Sequence, residues 1–383
     1  MKVLHICLSC FYIDDHSYQE NILVREHLSQ GHEVEVLAST ETFNKQKKVD
    51  YVKPSTYMGS DGAKVTRVPY LKWLPKTLAK KLRIHKNIYA HISQFSPDVI
   101  VFHGMCGWEL LTVLKYQKQN PNVTVWADSH EDFVNSARGF ISKHFLHGLY
   151  YRPIAKYFAK QTNNKILCVS ISVIQFLRDF YRIPEGKLEF YPLGGKIFND
   201  EEYLGRRLRK RLDLGLEDDE TLIVQTGKQT NRKKLLKSLE SFNKLDNPKL
   251  KFVIAGLIES SDDEKIHQII AENPHVSFIG WCSTEEVDSL LCAADIYLQP
   301  GTQSATMQNS LCKRCAVILD DIDSHQPYVK RNGWLINSDQ TLDKILNEVS
   351  LDSEKVANMS EESFKLASDL LDYEKLAFKL LAK

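Results

Sequence analysis

"DIYLQPGTQSATMQNSLCKRCAVILDD", residues 295–321, sets two short apolar runs on either side of a polar loop and a helix-length stretch. Neither run alternates polar with apolar, which is how strands read when both faces of their sheet are covered. The segment is therefore strand, crossover helix, strand, the unit from which parallel sheets are built. The same rhythm recurs along the chain. The first half carries KVLHIC, EVEVLAS, DVIVFHG, VTVWADS and ILCVS; the second carries TLIVQTG, KFVIAGL, VSFIG, DIYLQP, AVILDD and GWLIN. Each half is expected to be a doubly wound, Rossmann-like α/β domain.

Length agrees, because 383 residues exceed the roughly 250–300 at which one hydrophobic core stops growing. The boundary is expected at "YPLGGKIFNDEEYLG", residues 191–205, where Pro192, Gly194 and Gly195 punctuate the chain before the basic stretch RRLRKRL. This predicts domains over 1–196 and 197–365, with 366–383 as a closing helix, part of one long helix SFKLASDLLDYEKLAFKLLAK, that crosses back onto the first domain. Net charge is only +1, but residues 1–200 hold 26 Lys and Arg against 18 Asp and Glu, and the remainder 24 against 31. A nucleic-acid binder held by bulk charge is excluded. No run reaches the roughly 18 apolar residues of a membrane span, and the start MKVLHICLSCFYIDD reads as a strand and an acidic turn. A cytoplasmic location with reduced cysteines follows as the expectation. Cys7/Cys10 and Cys312/Cys315 have Cys-x-x-Cys spacing, yet the first pair begins inside a strand and neither lies in a zinc knuckle, so no metal is expected.

Open parallel sheets bind ligands beyond the carboxyl ends of their strands, so the loops that follow strands are where chemistry is sought. Neither half carries Gly-x-Gly-x-x-Gly or a Walker loop. After TLIVQT comes GKQTNRKK, residues 227–234, leading into KLLKSLESF. Cations at a helix start with free N–H groups suit a diphosphate.

GKQTNRK, FVIAG (252–256), VSFIGW (276–281), STEEVDSLLCAADIYLQP (283–300) and VSISVIQFLRDFYRIPEGKLEFYPLG (169–194), in this order and spacing, resemble the retaining family-4 glycosyltransferases of GT-B fold. The resemblance runs over essentially the whole chain. It implies two Rossmann-like domains facing across a cleft, and a nucleotide-diphospho-sugar as donor. Gly227 opens the diphosphate loop, Lys228 stands where the family has arginine, and Lys233 keeps the family's lysine. An ammonium is a point charge where a guanidinium forks two oxygens, so charge is kept and geometry is not. Gly280 and Trp281 are implied at the nucleotide.

The family carries two glutamates seven residues apart in the stretch that here runs from Ile296 to Leu319 without a carboxylate. The second, which grips the donor ribose, falls on Asn309 with Gln308 beside it; the first falls within 301–304. Gln303, Ser304, Ala305, Thr306, Gln308 and Asn309 are thus expected to contact the donor through amides, hydroxyls and the helix start near Ser304. Asn309 should grip a ribose more weakly than a carboxylate does, by about 1–2 kcal/mol.

In the first half the family's Gly-Gly loop is replaced by SYQEN, and Tyr18, Gln19 and Glu20 are assigned to the acceptor side, with Asp15 or Ser17 as an alternative helix cap. WADSHEDFVNSAR, residues 126–138, gathers acids around His130. The resemblance puts a histidine after this strand against the transferred sugar, so His130 joins Lys228 and Lys233 as catalytic candidates and Asp128 is placed on the acceptor side. From Gly62 to Pro97 no acidic residue occurs, while Lys and Arg interleave with Trp73, Leu74, Leu78 and Leu82. LKWLPKTLAKKLRIHKNIYAHI, residues 71–92 within this segment, and FISKHFLHGLYYRPIAKYFAK, residues 140–160, read as basic amphipathic helices, so that 62–97 and 140–160 meet an anionic membrane surface. The expected protein moves a hexose from a nucleotide-diphospho-sugar to a lipid-linked glycan acceptor in cell-surface polysaccharide synthesis, peripheral to the inner face of the cytoplasmic membrane. It needs no cofactor and binds no nucleic acid. A GT-B sugar-nucleotide epimerase and a glycan- or nucleotide-binding protein without turnover are the alternatives.

Overall fold

The computed structural model describes residues 1–44, 48–349 and 351–382. The chain divides into two compact units, Met1–Pro192 with Tyr373–Lys383 and Leu193–Asp372.

The first unit is built on β1 (Lys2–Cys7), β2 (Glu33–Ser39), β3 (Glu41–Phe43), β4 (Val49–Tyr51), β5 (Ser55–Met58), β6 (Lys64–Val68), β7 (Val99–His103), β8 (Thr124–Ser129), β9 (Ile166–Cys168) and β10 (Leu188–Phe190). Eight of these form one sheet in the order β10-β9-β8-β7-β1-β2-β6-β5. Every pairing in it is parallel except β5 with β6; β3 and β4 form a separate antiparallel pair. On one face, Val3, Cys7, Val36, Val99 and Val101 pack with Leu23 and Val24 of the helix Gln19–Ser29 and with Leu376, Ala377 and Leu380 of the helix Tyr373–Leu381. Trp126 Nε1 donates to Leu380 O at 2.9 Å and Tyr191 OH to Leu376 O at 2.8 Å, so the last helix is pinned by its carbonyls.

Two helical expectations are corrected here. Residues 363–383 are not one helix: Ser353–Leu370 ends at Leu371–Asp372 and a new helix runs from Tyr373 to Leu381. Residues 71–92 are not one amphipathic helix either: the helix Lys76–Leu82 ends at Arg83, which adopts a left-handed conformation, and a second helix, Ile88–Phe95, follows. The acid-free stretch 62–97 as a whole also holds strand β6 and a bridge between Tyr70 and His85. Two of its cations turn inward: Arg67 is buried against Asp14 at 3.1 Å, and Arg83 donates to the Ser9 carbonyl.

The second unit carries β11 (Thr221–Thr230), β12 (Leu250–Glu259), β13 (Val276–Phe278), β14 (Ile296–Gln299), β15 (Ala316–Asp320) and β16 (Gly333–Ile336), all parallel, in the order β13-β12-β11-β14-β15-β16. Its core joins Ile223, Phe252, Ile254, Ile296, Leu298 and Ile318 to Leu235, Leu239 and Phe242 of the helix Leu235–Phe242. The basic run RRLRKRL has a local purpose. From the helix Asp200–Asp213, Arg207 and Arg211 reach the last carbonyls of the helix Thr284–Ala293 and the Asp295 carboxylate. Cations at a helix carboxyl end satisfy its orphan acceptors.

Candidate functional site

In the second unit the loops after β11 and β14 are bonded together. Strand β11 runs four residues past the apolar run that predicts it. Gly227–Thr230 pair with Gly256–Glu259, a 3₁₀ turn covers Asn231–Lys233, and the next helix starts only at Leu235. Gly227 and Lys228 therefore lie on a strand and not at a helix start. A Cβ on Gly256, at φ 124°, would collide with the Gly227 carbonyl, and one on Gly301, at φ 138°, with the Arg232 carbonyl. These two glycines let backbone approach backbone where the strands end.

The two lysines are treated differently. Lys228 is exposed and forms an ion pair with Glu259 at 2.6 Å. Lys233 is buried, with its Nζ on the Thr302 carbonyl at 3.2 Å. Burial, assisted by the charge of Arg232, lowers its pKa to about 8. Among the described residues no carboxylate forms an ion pair with it. The Thr302 carbonyl also accepts from Gln299 Nε2 at 2.5 Å, and Thr302 N donates to Arg232 O at 3.2 Å.

The carboxylate-free stretch forms the loop and the helix Ala305–Cys312. Ser304 is the N-cap. Its Oγ accepts from Met307 N at 3.2 Å and donates to Gln299 Oε1 at 2.8 Å, which also accepts from Tyr297 OH at 2.9 Å. That leaves the amides of Ala305 and Thr306, in the first turn, with no partner inside the helix. Gln303 donates to Tyr328 OH at 3.1 Å. Gln308 is fully buried with neither amide atom bonded to another group of the described residues. Asn309 Nδ2 donates to Asp288 Oδ1, on the helix Thr284–Ala293, at 2.7 Å. Gly280, at φ 73°, accepts from Gly256 N at 2.6 Å, and Trp281 beside it is exposed. Thus Arg232 and Lys233 meet the loop 301–304, Gly227 and Gly280 both adjoin Gly256, and Lys228 lies on the strand between them, exposed. Sequence reading missed Gln225, Gln229, Gln299 and Tyr297, polar residues inside apolar strands that buttress these loops. A cavity of about 800 Å³ lies at the opposite, amino ends, lined by Thr221, Leu250 and Asp295. Parallel sheets seldom bind ligands there.

In the first unit, Asp128 is the penultimate residue of β8 and is buried. Its Oδ1 accepts from Gly104 N at 3.0 Å and lies 3.7 Å from His130 Nε2; its Oδ2 is 2.5 Å from His103 Nδ1. Burial alone would raise its pKa, but the His103 charge holds it below the ordinary carboxylate value. His130 is partly exposed on the loop after β8, which an Asx turn fixes: Asp132 Oδ1 accepts from Val134 N and Asn135 N at 2.8 Å, and Asn135 Nδ2 returns to His130 O at 2.7 Å. Asp132 and Asn135 are accordingly structural. Glu20 is buried, and burial raises its pKa against the pull of His130 and His103. Gln19 is buried with neither amide atom bonded to another group of the described residues, and Tyr18 is the N-cap without a side-chain capping bond. Neither Asp15 nor Ser17 caps this helix. Glu20, Asp128 and His130 are brought together; sequence reading missed His103, His5 and His27, which adjoin them. Among the described residues no group of three or more His, Cys, Asp or Glu side chains is arranged to hold a metal.

Comparisons with known proteins follow the two halves. Residues 207–366 match the family described as Glycosyl transferases group 1, and residues 22–194 match Glycosyltransferase Family 4. No curated protein matches in sequence. Solved structures do match in fold. Anabaena Alr3699/HepE in complex with UDP aligns with TM-score 0.67 at 14% identity, covering 100% of this chain and 98% of that one. WaaG, a glycosyltransferase involved in lipopolysaccharide biosynthesis, aligns with TM-score 0.64 at 16% identity over 100% of both. Sucrose-phosphate synthase from Thermosynechococcus elongatus gives 0.64 at 13% identity over 99% and 97%. With a glycosyltransferase domain matched in each half and this fold throughout, the protein is a glycosyltransferase of GT-B fold.

Proposed function

We propose that the protein is a retaining hexosyltransferase that draws on a nucleotide-diphospho-sugar and extends a lipid-linked glycan in cell-surface polysaccharide synthesis. The observation that carries the donor is Lys233: a buried cation that has no carboxylate partner among the described residues and whose Nζ holds the carbonyl of Thr302, just ahead of the helix Ala305–Cys312. Burying an ammonium so poorly compensated costs the folded state, and a diphosphate would offset that cost. The HepE complexes with UDP and UDP-glucose, and the part WaaG takes in lipopolysaccharide biosynthesis, support the donor class and the pathway.

In this reading Lys233, with Lys228 and the amides of Ala305 and Thr306, stabilises charge developing on the departing diphosphate. Retention of configuration asks for no base on the far side of the sugar, and His130 is assigned to the sugar itself. Gln303, Gln308 and Asn309 hold nucleotide and ribose by amides, with Gly280 and Trp281 near the base. Tyr18, Gln19, Glu20 and Asp128 are assigned to the acceptor. No metal is needed.

Membrane attachment is supported by the segment 140–160. Its π-helix Ser142–Tyr151 exposes Phe145 and Leu149, four residues apart, after Phe140 and Ile141, each 72% exposed, and Trp73 is 76% exposed. Lys72, Lys81, Lys86, Lys143, Lys156 and Lys160 are also exposed. No described helix is long and apolar enough to cross a membrane. Flotation with phosphatidylserine vesicles should carry the protein, and Phe145→Glu with Leu149→Glu should abolish it.

Calorimetric titration of UDP, GDP and other nucleoside diphosphates tests the donor site. One nucleotide should bind, and Lys233→Ala should weaken it by about 1.5–3 kcal/mol, roughly 10- to 100-fold. Absence of binding by every nucleotide would end this reading.

A further inference from the structure

Four hydrogen bonds in series cross the core of the first unit. His27 Nε2 lies 3.0 Å from Ala377 O, His27 Nδ1 2.9 Å from His5 Nε2, His5 Nδ1 3.0 Å from His103 Nε2, and His103 Nδ1 2.5 Å from Asp128 Oδ2. All four side chains are essentially inaccessible to solvent. Sheet register makes the line: β7 sets His103 opposite Asp128 of β8 and Val101 opposite His5 of β1, on the face that His27 covers from its helix. The rings of His5 and His103 stack within 10° of parallel.

Proton counting fixes the chain's state. A carbonyl only accepts, so His27 Nε2 carries a hydrogen. Each nitrogen–nitrogen contact at 3 Å needs one hydrogen and admits only one. The bond to Asp128 needs one as well, so four bonds hold four protons. Three neutral imidazoles bring three; the fourth sits either on Asp128 or on a ring. Asp128 already accepts from Gly104 N–H and faces His130, both of which favour its ionised form. The fourth proton therefore belongs to a ring, and His103, which touches the carboxylate, is that ring. His5 and His27 are left neutral, each with hydrogen on Nε2.

We propose that His27, His5 and His103 form a proton-ordered relay, one proton per bond, that keeps Asp128 ionised and its Oδ1 fixed toward Gly104 N–H and His130. The histidines are then positioning residues for His130, an inference that rests on the reading of His130 as the group beside the sugar. The charges respond accordingly. Burial opposes a cation at His103, but the Asp128 carboxylate overrides it and raises the pKa to about 10. Burial lowers His27 to about 4, and lowers His5 well below its ordinary value with help from His27 and His103. Other groups facing the chain are Glu20 on the helix Gln19–Ser29, Cys7 on β1, His130, His32, and Tyr191 after β10. A fifth proton would set N–H against N–H, and a missing one would set lone pair against lone pair. The relay therefore resists gain and loss alike.

The test is nitrogen-15 NMR of histidine-labelled full-length protein, assigned by single substitution. Expected are one imidazolium at His103 and neutral Nε2–H rings at His5 and His27, none titrating between about pH 5 and 9, where free imidazole does. A neutral His103, a ring that titrates in that range, or an Nδ1–H tautomer at His5 or His27 overturns the proposal. Because core variants can fail to fold, the second arm uses His27→Gln. Its amide can accept from His5 and donate to Ala377, so it should keep the His103 imidazolium and the wild-type His130 resonances, whereas His27→Leu should lose both. If His27→Leu leaves the His103 and His130 signals unmoved, the relay does not position the loop. The role of His130 fails separately: should His130→Ala transfer sugar at the wild-type rate while the tautomers are as expected, the relay stands and its beneficiary does not.

Discussion

Both units bury polar side chains beneath the loops at their strand ends, and they do so with opposite chemistry. In the first unit the groups are titratable: three imidazoles and the carboxylate of Asp128. In the second they are neutral: Gln225 with Gln229, Ser238 and the Lys233 carbonyl, and Gln299 with Tyr297, Ser304 and the Thr302 carbonyl. Beside that second group, whose Tyr297 phenol burial keeps protonated, the charged side chain among the described residues is Lys233. An amide network depends on geometry alone, whereas a chain of rings and carboxylate depends on geometry and on proton count. Removing one member should therefore hurt the first unit more. Asp128→Asn leaves the His103 cation buried without its anion, and breaking a buried pair from one side costs about 3–5 kcal/mol. Gln299→Ala strands hydroxyls and a carbonyl, at about 1–3 kcal/mol. Urea unfolding of the two variants ranks them; equal losses would erase the distinction.

The contrast extends to pH. His5 and His27 have lowered folded values, so their contribution is complete above the unfolded value of 6.5 and is lost as pH falls through about 4 for His27. His103 has a raised folded value, so its contribution is complete below 6.5 and is lost as pH rises through about 10. Lys233 runs the other way: the unfolded chain holds more protons between about 8 and 10.5, so stability from this residue rises with pH across that window. Lys233→Met should then stabilise the protein near neutral pH, on the order of 1–3 kcal/mol, as neutral replacements of poorly compensated buried charges do. The same change should abolish the gain in nucleotide affinity that Lys233 provides. A Tm that falls on this substitution would show Lys233 to be a structural lysine.

The fold was legible because strands buried on both faces leave continuous apolar runs, and those runs coincide with β1, β2, β7, β8 and β9 and with all six strands of the second unit. Strand β6 was hidden for the converse reason. KVTRV alternates, and its neighbouring lysines made a charge run louder than the strand. The residues flanking the loops were legible from their motifs. What sits under them was not, since His5, His103 and Asp128 lie on three strands far apart in sequence and meet only through register. A lone histidine in an apolar run carries no pointer to its partner. Asp288 illustrates the same limit: nothing in STEEVDSLL announces that one of its carboxylates will bond Asn309 across two helices.

The smallest expected effect separates the two lysines of the diphosphate loop. Lys228 is 58% exposed and its Glu259 partner 47%. Such a pair contributes about 0–1 kcal/mol, so Lys228→Ala should leave unfolding within about 0.5 kcal/mol of wild type. Its ammonium is already engaged, and a diphosphate would have to draw it from Glu259 through solvent. Lys233 has no such anion to leave among the described residues. Removing Lys228 should therefore cost the nucleotide less than removing Lys233, and the remaining affinity should still weaken above pH about 8, where Lys233 loses its proton. Glu259→Gln sharpens the case further, because it frees Lys228 without moving it. If that variant binds UDP or GDP more tightly while Lys228→Ala binds it only slightly less well, Lys228 is a cation held in check by its neighbour and Lys233 is the principal anchor. If Lys228→Ala loses as much as Lys233→Ala, exposure is no guide to function in this loop and the two cations act as one.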